Sequence, residues 1–239
     1  GRQCALSLAA EGVNVAICGR TSETLDKTVG ELRALGVHSL GVIGDVSVDE
    51  DIGLVHEAVV DGLGPIDILV NNAGGSRSRE DITETSIEDF RGTFDLNVFG
   101  AFQLIKLALP HMQGRRWGRV INIASIWGRE HGGNISYMSA KAALIASTKN
   151  AAVALAKDGV LVNSIAPGSI AHAGGSWERF QNDNPPDVVA DFIKSNLPLG
   201  RFGWPEPVGD LVAFLSSDRA GLITGACIVV DGGQGYSMI

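Results

Sequence analysis

Two short apolar runs decide the fold: IDILV at residues 66–70 and RVINIA at residues 119–124. Both are rich in β-branched residues and have few polar positions, which is typical of strands buried on both faces of a parallel sheet. Further strands are predicted at 13–18, 37–43, 160–165 and 226–230. Helical periodicity predicts helices at 2–10, 22–35, 48–61, 86–112, 135–157 and 205–216. This alternation predicts an α/β fold, a doubly wound parallel sheet in three αβα layers.

The chain of 239 residues is interpreted as one domain over 1–239, because no repeat, low-complexity tract or long linker divides it. The segment 169–203 carries Gly174-Gly175 and Pro185-Pro186 and shows no regular pattern. It is longer than an ordinary connection between elements, and long connections are often lids or binding loops. We therefore predict a substrate lid at about 169–203.

The start of the chain conflicts with a complete sheet. Gly1 leads directly into the helical pattern at 2–10, whereas a doubly wound sheet places a strand before such a helix. We therefore expect a gap in the middle of the sheet, with unpaired backbone on two strands. We also expect the natural protein to have roughly ten to fifteen more residues upstream, enough for one strand and its turn.

Composition argues against several classes of protein. The net charge of −8 disfavours nucleic-acid and anionic-membrane surfaces, which need a basic face. No apolar run approaches the ~18 residues that a membrane span needs. Three widely spaced cysteines, Cys4, Cys18 and Cys227, are interpreted as buried reduced thiols of a cytoplasmic protein. We expect no metal site, no nucleic-acid partner and no membrane partner.

Four polar features follow or interrupt these elements. Tyr137 and Lys141 lie one helical turn apart, and an ammonium beside a phenol favours the phenolate needed for acid–base chemistry. Ser125 and the run Asn71–Gly74 (NNAG) follow two strands, at the sheet edge where ligands bind. Asn97 interrupts an apolar helix. Each feature alone has an ordinary alternative: a solvated helix face, a capping or turn residue, or a local bend.

In this order, the features resemble the short-chain dehydrogenase/reductase superfamily over the whole chain, and 3-oxoacyl-(acyl-carrier-protein) reductases within it. The resemblance implies a Rossmann-type NAD(P)-dependent oxidoreductase whose catalytic tetrad is Asn97, Ser125, Tyr137 and Lys141. It implies cofactor contacts at Gly1, Arg20, Asp45, Val46, Asn71, Ala73, Gly74, Tyr137, Lys141, Pro167, Gly168 and Ile170. The run ACIVVDGG at 226–233 matches the family's last strand.

Two departures from the family pattern stand out. The interval between Ser125 and Tyr137 is one residue shorter than usual. Of the glycine-rich turn that carries the cofactor pyrophosphate, only Gly1 is present, so we expect the chain as given to bind cofactor poorly.

The resemblance also implies a role for each member of the tetrad. A substrate carbonyl accepts hydrogen bonds from Ser125 and Tyr137, and Tyr137 donates the proton. Lys141 binds the nicotinamide ribose and lowers the pKa of Tyr137, while Asn97 holds a water that links Lys141 to solvent. The cofactor is expected to be NADP(H), with NAD(H) possible, because Arg20 follows the strand that ends in Cys18 and suits a 2′-phosphate.

The substrate is a carbonyl or secondary alcohol, for which the sequence leaves several possibilities. A 3-oxoacyl thioester, free or bound to a carrier protein, is the leading expectation, and Arg115, Arg116 and Arg119 form a basic patch that could dock an acidic carrier. A sugar or polyol is the alternative within the family. Substrate contacts are predicted for three residues: Trp127, His172 and Trp177.

Two expectations concern the whole molecule. A homotetramer or homodimer is expected through the helices at 86–112 and 135–157, as the resemblance implies. A non-catalytic cofactor sensor or interaction protein on the same fold is the alternative from another functional class, and the complete tetrad argues against it.

Overall fold

The structure, a computed structural model, describes residues 1–78 and 81–238. Its six strands are β1 (Val15–Gly19), β2 (Ser39–Ile43), β3 (Ile68–Asn71), β4 (Gly118–Ile123), β5 (Val160–Pro167) and β6 (Cys227–Val230). All paired strands are parallel, in the orders β2–β1 and β3–β4–β5–β6. The runs IDILV and RVINIA supply the adjacent strands β3 and β4, with Val70 opposite Ile121.

Helices cover both faces of the sheet. They are α1 (Arg2–Ala10), α2 (Ser22–Ala34), α3 (Asp49–Leu63), α4 (Ile87–Phe94), α5 (Gly100–Arg115), α6 (Ile135–Leu155), α7 (Ser176–Asp183), α8 (Pro186–Asn196) and α9 (Glu206–Ser216). One face carries α1, α2 and α9, and the other carries α3, α5 and α6. Each face has its own apolar cluster, around Val212 and Ile165 on the first and around Met112 and Val162 on the second. The predicted three-layer, doubly wound fold is confirmed.

The sheet is divided between β1 and β3, as the sequence predicts. Within residues 1–78 and 81–238, no strand pairs with the facing edges of β1 and β3. A cavity of about 1010 Å³ lies between them, lined by β1 from Val15 to Gly19 and by β3 from Ile68 to Asn71. Gly1, at the start of α1, lies at the rim of this cavity against Asn72.

The predicted helix at 86–112 is wrong in two respects. It is interrupted by a π-helical turn, Asp95–Phe99, that separates α4 from α5. It also continues through Pro110 to Arg115 instead of ending near the proline. Pro110 and Lys106, the residue whose carbonyl loses its helical partner, are both exposed, so water can satisfy that carbonyl.

The segment 169–203 is not irregular, because it contains α7 and α8. Four aromatic rings hold these helices together: Trp177, Phe180, Phe192 and Phe202, with centroid separations of 5.0 to 6.5 Å. The glycine and proline pairs favoured the prediction of an irregular segment. The two short helices are stabilised by aromatic packing rather than by helical propensity.

Two further expectations from the sequence need correction. All three cysteines are free, but only Cys4 is buried, while Cys18 is exposed at the end of β1. The helix predicted at 48–61 runs instead from Asp49 to Leu63. No described helix is long and apolar enough to cross a membrane.

Gly100, the first residue of α5, allows the backbone at Val46 to pack directly against this helix. A Cβ at this position would overlap the carbonyl oxygen of Val46, whereas a Cβ at Gly114 on the same helix would meet nothing within 4 Å. We predict that Gly100→Ala lowers the free energy of unfolding by about 1–3 kcal/mol through overpacking. Gly114→Ala should leave it unchanged or raise it by up to about 1 kcal/mol. Urea denaturation of both variants tests this, and equal effects would contradict it.

Candidate active site

Tyr137 and Lys141 lie in the first two turns of α6. Asn134 caps this helix, and its side-chain oxygen accepts a hydrogen bond of 2.9 Å from the backbone N–H of Tyr137. The i, i+4 spacing places both side chains on one face, with Lys141 Nζ 5.6 Å from the centroid of the phenol ring. The cap therefore fixes where the phenol stands, and the helical period brings the ammonium to it.

The ammonium of Lys141 is buried inside the protein. Its side chain is 2% exposed, and Nζ donates a 2.8 Å hydrogen bond to the carbonyl oxygen of Ile123, the last residue of β4. Burial lowers the pKa of Lys141 to about 8. Burial also raises the pKa of Tyr137, against a smaller opposite effect of its hydrogen bond with Ser125. In the protein without cofactor, burial thus sets the direction for Tyr137, and the lowering of its pKa by Lys141 stays a prediction.

Ser125 stands just beyond the end of β4 and faces Tyr137. Its backbone is extended, and it caps a short 3₁₀ turn, Ile126–Gly128, by accepting a 3.2 Å hydrogen bond from the backbone N–H of Trp127. Its hydroxyl also lies close enough to the phenol of Tyr137 to lower the pKa of that tyrosine. The structure thus brings the two hydroxyls together as predicted, and the hydrogen bond from the turn restricts the orientation of the serine side chain.

Asn97 lies in the π-helical turn between α4 and α5, a kind of helix that is rare and frequently functional. Its amide donates to the carbonyls of Gly75 and Thr93 and accepts from the N–H of Gly75. A Cβ at Gly74 would lie 2.7 Å from Asn97 Oδ1 and 2.8 Å from Lys141 Nζ. The asparagine therefore meets Lys141 above Gly74 and holds the loop after β3 in place.

The predicted cofactor residues around the adenine end lie beyond β1 and β2. Arg20 follows β1, and its side chain, 72% exposed, lies 3.6 Å from the carboxylate of Asp45. Hydrogen bonds from Ser47, with the nearby charges of Arg20 and Arg77, hold the pKa of Asp45 below its usual range. Arg20 thus has a weak, exposed ion pair and remains accessible to an anionic ligand.

The remaining predicted cofactor residues follow β3 and β5 along the same edge. Ala73 and Gly74 are exposed there, while Asn71 is buried and donates a 2.8 Å hydrogen bond to Asn122 inside the sheet. Pro167 ends β5, Gly168 packs against Asp231, and Ile170 pairs with Gly203. Next to them, the hydroxyl of Ser169 is buried without a hydrogen-bond partner in the structure.

These features fit a dinucleotide. Small or exposed residues allow close approach at β3 and β5, an accessible guanidinium stands at β1, and a buried hydroxyl at β5 is free to bind a polar group. Gly1 alone represents the pyrophosphate turn, at the N-terminus of α1.

The three predicted substrate residues have different surroundings. Trp127 lies beside Tyr137, with ring centroids 6.5 Å apart and nearly perpendicular planes. His172 is exposed at the start of the lid, where its ring lies 3.1 Å from the carbonyl oxygen of Ala173. Trp177 packs inside the aromatic core of the lid. The structure therefore brings only Trp127 into contact with the tetrad.

The structure places the basic patch away from the tetrad, so its role in docking a carrier stays a prediction. Arg115 pairs with Asp67 at 2.8 Å, and Arg119 is buried beside Asp218 at 3.3 Å. Both lie near the amino end of β4, while Ser125 follows its carboxyl end, about 20 Å away for a six-residue strand.

Metal ligation is not indicated, since no three His, Cys, Asp or Glu side chains cluster in the part of the chain that is described.

One functional group that sequence reasoning missed is the polar cluster before Tyr137. Asn134 Oδ1 accepts hydrogen bonds from Ser76 and Ser136, each at 3.0 Å, besides the Tyr137 N–H. Thr93 extends the cluster toward Asn97. An asparagine directly before a helical pattern is a standard capping signal, so the capping role of Asn134 was predictable from the sequence. Its hydrogen bonds with distant residues were not.

The buried charge of Lys141 predicts a gain in stability when it is removed. Between pH 8 and its ordinary pKa, the unfolded chain binds more protons at Lys141 than the folded one, so this group makes wild type more stable as pH rises. Lys141→Met should therefore raise the free energy of unfolding by roughly 2 kcal/mol at pH 7 and by clearly less at pH 9.5. Urea denaturation at both pH values tests this, and a difference that does not change with pH would contradict it.

Comparisons with known proteins agree with this geometry. A family model described as enoyl-(acyl carrier protein) reductase matches residues 1–235. The 3-oxoacyl-[acyl-carrier-protein] reductase of Staphylococcus aureus is 35% identical over 236 residues, which are 98% of this chain and 93% of that protein.

Solved structures agree as well. The L-sorbose reductase of Gluconobacter frateurii, complexed with NADPH and L-sorbose, has a TM-score of 0.92 and 32% identity, and the match covers 100% of this chain and 93% of that one. A NAD⁺-bound xylitol dehydrogenase has a TM-score of 0.89 and 32% identity, covering 98% and 94%. The chain therefore belongs to the short-chain dehydrogenase/reductase family of NAD(P)-dependent oxidoreductases.

Proposed function

We propose that this protein interconverts a carbonyl and a secondary alcohol with NADP(H), and that its leading substrate is a 3-oxoacyl thioester. The observation that carries the proposal is the pair of neighbouring hydroxyls, Ser125 and Tyr137, beside the buried ammonium of Lys141. Two converging hydroxyls suit one carbonyl oxygen, and a buried cation stabilises the negative charge left when the tyrosine gives up its proton.

Each residue has a distinct task in the reduction. Ser125 accepts a hydrogen bond from the Trp127 N–H, so its own hydrogen is free to turn from Tyr137 to the substrate oxygen. Tyr137 donates its proton to that oxygen as the alcohol forms, and the resulting phenolate is stabilised by Lys141. Asn97 holds the loop beside Lys141, and it would also hold a water that links Lys141 to solvent. The bound nicotinamide supplies or takes up the hydride.

NADP(H) is favoured over NAD(H) by the residues beyond β1. Arg20 offers an exposed guanidinium whose ion pair with Asp45 is long, so a 2′-phosphate can replace it. Asp45 and Val46 would lie against the adenine, Asn71, Ala73 and Gly74 against the ribose side, and Pro167, Gly168 and Ile170 against the nicotinamide. The similar xylitol dehydrogenase was solved with NAD⁺ and the similar sorbose reductase with NADPH, so NAD(H) is the alternative cofactor.

Two substrate classes within the family have support. The similarity to 3-oxoacyl-[acyl-carrier-protein] reductases supports a 3-oxoacyl thioester, free or carrier-bound. The similarity to a sorbose reductase and a xylitol dehydrogenase supports a sugar or polyol. Trp127 lies beside Tyr137 and would contact either substrate, and His172 stays a predicted contact. The packing of Trp177 among Phe180, Phe192 and Phe202 speaks against direct contact.

The assembly and location stay predictions. A homotetramer or homodimer through α4, α5 and α6 is supported by exposed apolar side chains on these helices, which include Ile87, Phe102, Leu107 and Val153. A cytoplasmic location is our proposal from the sequence.

Removing one oxygen tests the chemistry directly. We predict that Tyr137→Phe lowers kcat by at least about 10²-fold, because the proton donor is lost while the ring remains. NADPH oxidation at 340 nm, against 3-oxoacyl thioesters and keto sugars, measures it. Unchanged turnover in the variant would contradict the proposal. Wild type that binds NADPH but turns over neither class would favour the cofactor-sensing alternative.

The cofactor preference has a separate test. We predict that Arg20→Ala raises KM for NADPH by about tenfold or more and leaves KM for NADH within about twofold, since only NADPH has the 2′-phosphate. Lys27→Ala removes the same charge from exposed α2 and serves as control. A similar loss with both cofactors, or with the control variant, would sink the role given to Arg20.

A further inference from the structure

Trp127 has contacts with both hydroxyl-bearing residues of the centre. Its backbone N–H donates to Ser125 Oγ at 3.2 Å, and its indole meets the ring of Tyr137 edge to face at 6.5 Å between centroids. The side chain is half-buried. No step of the proton transfer uses the indole, so its place beside the reacting oxygen calls for another explanation.

Two consecutive glycines make room for the indole. A Cβ at Gly132 would overlap the pyrrole side of the ring at Cδ1 and Nε1, and a Cβ at Gly133 would lie 2.7 Å from Cε3 on the benzene side. Gly133 also has a φ of +69°, which other residues rarely adopt. The backbone of the loop between Ser125 and Tyr137 thus packs closely against both rings of the indole.

We propose that Trp127 determines specificity by forming an apolar wall for the substituent next to the reacting carbonyl, and that it favours a flat aromatic substituent there. This inference rests on the proposed function. An oxygen shared by Ser125 and Tyr137 leaves two substituents on its carbon, and the side toward Trp127 is bounded by the indole. Because the indole is already packed against the backbone of Gly132 and Gly133, little further side-chain entropy is lost when a substrate packs on its other side.

The chemistry of the wall selects among ketones. An indole stacks with or packs edge-on to an aryl ring, and such pairs are worth more than the buried area alone. A methyl group covers little of the indole, and a hydroxylated substituent loses water there without gaining hydrogen bonds. Aryl ketones should therefore be preferred over otherwise identical alkyl ketones.

A matched pair of esters tests the wall: ethyl 3-oxo-3-phenylpropanoate, with phenyl next to the ketone, and ethyl 3-oxobutanoate, with methyl there. Kinetics are measured on the full chain with NADPH. Trp127→Ala should lower kcat/KM for the phenyl ester about tenfold, mainly through KM, and change that for the methyl ester less than about threefold. Trp127→Phe should restore most of the phenyl preference. Equal losses for both esters, or a gain for the phenyl ester, would overturn the proposal.

A glycine pair supplies the structural control. Gly133→Ala should displace the indole and reproduce the selective loss for the phenyl ester. Gly36→Ala also substitutes a residue with positive φ, +85°, but meets nothing within 4 Å, so its phenyl preference should equal that of wild type. A selective loss in Gly36→Ala as well would overturn the assignment to the indole.

Failure of the proposed function has a different signature. If wild type reduces neither ester, saturation-transfer NMR of the phenyl ester in the presence of NADPH still reports the wall without turnover. Transfer to the phenyl protons that is lost in Trp127→Ala supports it. Equal transfer in both proteins overturns it.

Discussion

The buried ammonium of Lys141 is the constraint around which the centre is built. A cation inside a protein needs hydrogen-bond acceptors and neighbouring polar groups to offset the loss of water. Here the acceptor is the carbonyl of Ile123 at the end of β4, and Asn97 stands on the other side above Gly74. The strand end, the π-helical turn and the first turns of α6 must therefore meet at one point. The need to surround the buried ammonium with polar groups therefore fixes where Asn97, Ser125 and Tyr137 can lie.

The polar contacts around this point form two supports. Asn97 ties the loop after β3 to α4 through Gly75 and Thr93, and Asn134 ties the same loop to α6 through Ser76. Both supports hold the loop that carries the exposed Ala73 and Gly74, where a cofactor would approach. The same hydrogen bonds that place Tyr137 thus also shape the cofactor side of the cleft, so substitutions in the cluster should affect binding and proton transfer together.

Much of the fold and of the tetrad was predictable because those features are local. Short apolar runs predict parallel strands, and the 3.6-residue period places Tyr137 and Lys141 on one face. The π-helical turn was not predictable, since nothing in the sequence beyond an out-of-place Asn97 distinguishes it from continuous helix. The lid helices were missed because distant aromatic rings stabilise them. The surroundings of the basic residues near Arg115 were not predictable, because sequence alone does not show which end of β4 they occupy or that Asp67 and Asp218 lie beside Arg115 and Arg119.

The residues predicted to contact the cofactor follow strands of both parts of the sheet. Ser125 and the loops that carry Ala73 and Pro167 follow strands of the four-stranded part, β3 to β6, whereas Arg20 and Asp45 follow the two-stranded part, β1 and β2. One apolar cluster behind the centre is shared by β4, β5, α5 and α6. The other joins Ile121, Ile123 and Ile165 to Val15 and Leu32, so it packs the two parts of the sheet against each other beneath the centre. The predicted recognition of a 2′-phosphate by Arg20 would depend on this packing. A dinucleotide spanning both parts would link them directly, so cofactor binding should stabilise the two-stranded part more than the centre itself.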